Sequence, residues 1–170
     1  MEQATAHHEH AQDAHAAEHG EHAAHGGSLN ALAISATTHC LTGCAIGEVV
    51  GMVIATALGW SNAGQIALAV GLAYVFGFSL TARPLIKAGL AAGAIVSTAL
   101  AADTISITIM EAIDNLTVVL WPGAMEAGVG DPIVYIAIAV GFAVAYPFAF
   151  LANRYMIARG KGHAVVHEYH

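Results

Sequence analysis

Basic side chains are the scarcest chemistry in this sequence. Only five Lys and Arg occur in 170 residues, and the first of them is Arg83. Recognition of nucleic acid needs a basic face, so nucleic acid is excluded as a partner. Charged residues of both signs reach just 10%, against about 25% in an ordinary soluble domain. The amino terminus carries no Lys or Arg and so does not read as a cleavable secretory signal, which needs a positive n-region. Cysteine is confined to Cys40 and Cys44, both inside one apolar run, which gives no disulfide framework. Catalytic signatures are missing as well. The chain has no phosphate loop, no dinucleotide fingerprint, no Cys-x-x-Cys-His haem-attachment motif and no recognisable Ser/His/Asp arrangement. An enzyme is not expected.

Against these absences stand 57% hydrophobic residues and a mean hydropathy of +0.64. That combination predicts an all-α polytopic membrane protein, a bundle of four transmembrane helices in one domain at 29–158 with the lipid bilayer as its first partner. The apolar runs are 29–58, 64–82, about 88–120 and 132–154, each reaching the ~20 residues that cross a hydrocarbon core. The third run is too long for a perpendicular crossing, so it is expected to tilt or to begin in the interface. Arg83-Pro84 is expected to close the second span and Trp121-Pro122-Gly123 the third. Asp131-Pro132 opens the fourth, with Pro suited to the first turn, and Pro147 predicts a kink inside it. Residues 1–28 precede the bundle as a low-complexity tail with seven histidines, too poor in apolar side chains to fold and expected to be disordered. Imidazole ligates zinc, copper and nickel, so this tail reads either as a weak metal-sequestering segment or as a solvating one.

Orientation follows from the few basic residues. Arg83 and Lys87 lie between spans two and three, and Arg154, Arg159 and Lys161 close or follow span four. With four crossings these regions share a side, which the positive-inside rule makes cytoplasmic. Both termini are then cytoplasmic. Trp60 and Trp121 mark the opposite side as an aromatic belt.

The unusual chemistry begins at His39-Cys40-Leu41-Thr42-Gly43-Cys44-Ala45-Ile46-Gly47-Glu48. Ionisable groups at such depth are costly and usually face other protein. At about 100° per residue, Gly43, Gly47 and Gly51 align as a small-xxx-small stripe that admits a neighbouring helix. Cys40, Cys44 and Glu48 form a parallel row beside it, with Thr37 on the same side and His39 at its edge. Leu41, Ile46, Val49 and Val53 point the other way. On the third span Asp103, Met110 and Asp114 fall near one line, flanked by Ser106 and Thr117, and Thr104, Thr108, Glu111 and Asn115 form a second row. That span is polar around more than half its circumference and is expected in the middle of the bundle or along a watery cavity. Spans two and four have no ionisable residue at their centres. By elimination spans one and three meet, within a subunit or across an oligomer contact.

After span four, Gly160 and Gly162 break the helix, and residues 159–170 form a second tail. His163 and His167 share a face in either a helix or a strand, and His170 joins them only in a helix. The i, i+4 spacing offers two imidazoles to one metal or places solvated histidines at a terminus.

The blocks H-C-L-T-G-C-A-I-G-E, A-D-T-I-S-I-T-I-M-E-A-I-D-N, P-G-A-M and A-N-R-Y-M-I-A-R-G-K-G-H-A-V-V-H together resemble a family of small bacterial and archaeal membrane proteins catalogued as a domain of unknown function. The resemblance spans about residues 36–170. It implies a multi-span membrane domain, no established activity, and an association of some members with copper-handling proteins. Its motifs fall on His39, Cys40, Cys44, Glu48, Asp103, Glu111, Asp114, Asn115, His163 and His167.

Two functional readings stay open from the residues. In the first, His39, Cys40, Cys44, Glu48, Asp103, Met110, Glu111 and Asp114 bind or transport a transition metal, copper first and zinc second. Thiolate, thioether and imidazole suit Cu(I), and thiolate, imidazole and carboxylate suit zinc. His163, His167 and His170 would serve as a secondary site. Four carboxylates exceed what Cu(I) wants, however, and Cys-x-x-x-Cys is not the two-residue spacing of a structural zinc site. In the second reading the carboxylates form a proton or cation pathway. A scaffold or complex subunit is the bland counterpart, since buried Cys, Asp and Asn also serve helix packing. Either a homo-oligomer or a membrane-complex partner fits the glycine stripe.

Overall fold

A computed structural model of the chain describes residues 28–159 apart from residue 88, and within them four helices follow one another. They are α1 (Leu29–Ala57), α2 (Asn62–Lys87), α3 (Ala92–Leu120) and α4 (Pro132–Ala158). Each is long and apolar enough to cross a membrane, with mean hydropathies of 1.8, 1.7, 1.5 and 2.2 in that order. The expectation of a four-span all-α membrane bundle therefore holds. The two histidine-bearing tails, including His163, His167 and His170, lie outside the described residues.

Local chemistry sets most of the helix ends. Ser28 Oγ accepts from the Ala31 N–H at 3.3 Å, satisfying one of the free donors at the start of α1. Asp131 does the same for α4, accepting from the Ile133 N–H at 3.0 Å, with Pro132 in the first turn. The third span closes at Trp121, and Gly123 takes a positive φ of 81° in the turn that follows.

The second span ends later than Arg83-Pro84 suggested. α2 continues through both residues to Lys87 and stops ahead of Gly89, whose φ is 76°. Pro84 lies in the last turn, where its missing N–H forfeits a single helical hydrogen bond. Leu85, fully buried with Ala102 in a small apolar cluster, helps hold that turn in place. α3 accordingly starts at Ala92 rather than near 88.

α1 packs closely on α2 through the glycine stripe. Gly43 lies against Gly77, Gly47 against Ala73 and Gly51 against Ala69, over three successive turns of antiparallel contact. A Cβ at Gly43 would sit 2.7 Å from the Gly77 Cα. Helices in lipid associate by such packing, because the surrounding tails are as apolar as the side chains. The stripe is therefore occupied within the subunit. Ile46, Val49 and Val53 are exposed on the opposite face of α1, as a lipid-facing surface should be.

α3 is not enclosed by the other helices. Val96, Leu100, Ile105, Leu116 and Val119 are exposed along it, so of the two expected placements it fits the one along a cavity, which Asn115 and Val118 help to line. Its two polar rows separate. Asp103, Ser106, Met110, Glu111 and Asp114 turn inward and are buried, whereas Thr104 and Thr108 face out. The outward hydroxyls donate to the carbonyls of Leu100 and Thr104, each at 2.6 Å, and Thr108 Oγ1 also pairs with the Tyr74 hydroxyl on α2.

Candidate functional site: the seam between α1 and α3

Cys40, Cys44 and Glu48 recur every four residues along α1, so they rise about 6 Å per step along one face. All three are buried. On α3 the residues facing them are Asp103, Glu111 and Asp114. The result is three rungs. Cys40 Sγ lies 3.8 Å from Asp103 Oδ1, in hydrogen-bonding position. Cys44 meets the Glu111 carboxyl, and Glu48 meets the Asp114 carboxyl. The expectation that spans one and three meet through these residues is met within one subunit. The glycines and the thiol–carboxylate row, adjacent on α1, serve different neighbours: the former face α2 and the latter α3.

The seam continues past the first rung through groups on all four helices. His39 Nε2 lies 3.1 Å from Thr81 Oγ1, and Thr81 also reaches Asp103. Asn153 Nδ2 donates to Thr37 Oγ1 and to Ser106 Oγ, both at 3.0 Å, and so ties α4 to α1 and α3. Thr81 and Asn153, near the ends of spans two and four, were not among the residues that the sequence singled out. A lone Asn near the end of an otherwise apolar span was the available signal. Replacing Asn153 with Val is expected to cost roughly 1 kcal/mol, the usual scale for a membrane hydrogen bond. Reversible unfolding in mixed micelles, with Ser106→Ala and the double variant to close a cycle, measures it.

Three of the acids hold oxygens without a hydrogen-bond donor. These are Glu48 Oε2, Glu111 Oε1 and both oxygens of Asp114, all buried. The other Glu111 oxygen accepts from Asn115 Nδ2 at 3.3 Å. Two carboxyl groups facing each other are acceptors alone, so the Glu48–Asp114 rung needs a proton or a cation between them. Asp114 also rests on α4 at Gly141, where a Cβ would collide with Oδ1 and come within 3.0 Å of the Asp114 Cα. Gly141 gave no sequence signal, because only the packed structure shows what a side chain there would meet. Met110 is fully buried in the same apolar cluster as Cys40 and Cys44.

Above the Glu48 rung a vestibule of about 290 Å³ opens toward the end of the bundle that bears Trp60 and Trp121. Glu48, Asn115, Gln65, Thr56, Trp60 and Glu126 are among its lining residues. The 121–131 connection forms one wall, held to α2 by Asn62 Nδ2 donating to the Met125 carbonyl at 3.2 Å. At the other end of the seam, beside the Asn153 junction, Ala33, Ala36 and Ile157 pack with Leu29, Leu32 and Phe150.

Residues 30–162 match the family model described as Domain of unknown function (DUF4396). The chain belongs to this family. The match covers all four helices and with them the whole seam, which makes the seam a feature of a DUF4396 domain rather than of an appended segment. No curated protein and no solved structure matches the chain. Among the described residues no three His, Cys, Asp or Glu side chains converge on one point; in this DUF4396 domain the ionisable groups are arranged as successive pairs.

Proposed function

We propose that this protein passes a cation across the bilayer along the α1–α3 seam. One observation carries the reading: at the floor of an open vestibule Glu48 holds a buried carboxyl oxygen without a hydrogen-bond donor, and Asp114, which it meets, holds two. Buried acids in a membrane are the usual material of proton relays and cation sites. The Cys44–Glu111 and Cys40–Asp103 rungs extend that chemistry from the vestibule toward the basic end of the bundle. We take that basic end as cytoplasmic by the positive-inside rule, with the vestibule facing outward, and assign the protein to a bacterial or archaeal inner membrane on the family resemblance.

A transition metal is the second reading for the cargo, and the thiols favour it. Cys40 and Cys44 are free and fully buried beside Met110, and such soft donors suit Cu(I) and, with carboxylates, zinc. Thr81 shares its hydroxyl with His39, which brings an imidazole to the inner rung.

Reconstitution into liposomes tests both. Wild-type protein is expected to dissipate a proton gradient or to load copper or zinc from the vestibule side, and Asp114→Asn to reduce that flux to below about a tenth, the loss typical when an intramembrane functional acid is removed. If neither proton nor metal crosses faster than through empty liposomes, the reading fails. Cys40→Ser with Cys44→Ser separates the cargoes: it abolishes metal flux and leaves proton flux through the acids.

A further inference from the structure

We propose that the vestibule is a capture site for a divalent cation that keeps part of its water shell, with Glu48 and Asp114 as its carboxylate ligands. The inference deepens the pathway reading and rests on it only for what happens to the ion afterwards. Four observations converge. Glu48 is 6% exposed, lines the vestibule and has a buried oxygen without a donor. Asp114 lies directly behind it, fully buried, with both oxygens in the same condition. The remaining polar lining consists of oxygen and amide groups from Thr56, Asn62, Gln65, Asn115 and Glu126. The space, about 290 Å³, exceeds the ≈ 30 Å³ share of one liquid water several-fold.

Those features select a class of ligand. Two carboxyl groups supply up to two negative charges at one depth, which balances a divalent ion. Oxygen donors with room for water suit ions that dehydrate reluctantly and bind through one or two carboxylates. A fully dehydrated Cu(I) would instead seek the thiols, which lie one and two rungs deeper. Of the two metals named above, zinc accepts both donor sets, carboxylate in the vestibule and thiolate below. The order of donors along the seam thus places zinc ahead of copper as cargo, reversing the order that the sequence favours.

Mn²⁺ is the appropriate probe, because it prefers oxygen donors and stands lowest in affinity for imidazole tails among the first-row divalent ions. Full-length protein in detergent is titrated with Mn²⁺, free ion being read from its electron paramagnetic resonance signal and site occupancy from quenching of Trp60 in a Trp121→Phe background. Wild type is expected to bind one Mn²⁺ more tightly than Glu48→Gln or Asp114→Asn by at least about tenfold, on the scale that ligand count sets. Glu48→Asp keeps the charge and should retain most of the binding, which distinguishes lost ligation from lost folding. Binding that is equal in wild type and Glu48→Gln, or that leaves Trp60 unquenched, overturns the capture site. Mn²⁺ bound as expected without ion flux in liposomes overturns the pathway and leaves the site standing. Proton flux with no divalent binding does the reverse.

Discussion

Gly47→Leu is expected to prevent the bundle from forming a stable α1–α2 pair. A Cβ at Gly47 would already collide with the backbone nitrogen and Cα of Ala73, and backbone cannot rotate aside as a side chain can. Three further carbons make the helices separate along the whole stripe, weakening the contacts at Gly43 and Gly51 as well. Overpacking in a dense interior costs about 1–3 kcal/mol and occasionally more, and this site belongs at or above the upper end. The measurement is the unfolding midpoint of purified protein, alongside the fraction that elutes as a single species. Val53→Leu, on the exposed face of the same helix, is the control and should change neither. A Gly47→Leu protein as stable as wild type would mean that α1 and α2 are not apposed through this stripe.

Gly141→Ala should do the opposite: spare the fold and remove the function. The added methyl would occupy the space of Asp114 Oδ1, and the acid must turn out of its rung with Glu48. The hardest clash is with a side-chain oxygen, and the Asp114 Cα at 3.0 Å asks α3 and α4 to part only slightly, so the stability loss should be about 1–3 kcal/mol. Ion flux and Mn²⁺ affinity should each fall at least about tenfold, since functional groups tolerate only about 0.5 Å of misplacement. Gly141→Ala with full flux and unchanged Mn²⁺ binding would remove Asp114 from the pathway.

The helices and the pairing of spans one and three were legible in the sequence because they rest on period and charge. Cys40, Cys44 and Glu48 repeat every four residues, and only the third span offered acids to face them. What stayed hidden depends on which helix fills which groove. The glycine stripe announced a close neighbour without naming α2, whose matching Gly77, Ala73 and Ala69 are small residues in a span full of them. Arg83-Pro84 looked like a terminus because Pro usually ends helices, yet in a final turn it costs one hydrogen bond. The polar stretch of α3 did not require a central place, because Thr104 and Thr108 donate to the backbone of their own helix, Thr108 also meeting Tyr74 of α2. A watery cavity along α3 was one of the two placements expected from its polar residues, but its position was not legible, since the vestibule's wall is the 121–131 connection folding back toward α2.

The placement of three acids on α3 bears on how the protein is made. Of the four spans α3 has the lowest mean hydropathy, 1.5. Each Asp at the centre of an inserting helix costs about 2.5–3.5 kcal/mol on translocon scales. Leaving the insertion machinery alone, α3 would carry that cost without relief. The α1–α2 hairpin emerges first and already displays Cys40, Cys44 and Glu48 along an open flank. Insertion of the second hairpin is then best understood as templated by the first: the groups that serve the mature seam also act, for a moment during biogenesis, as the receptor that draws α3 into the membrane.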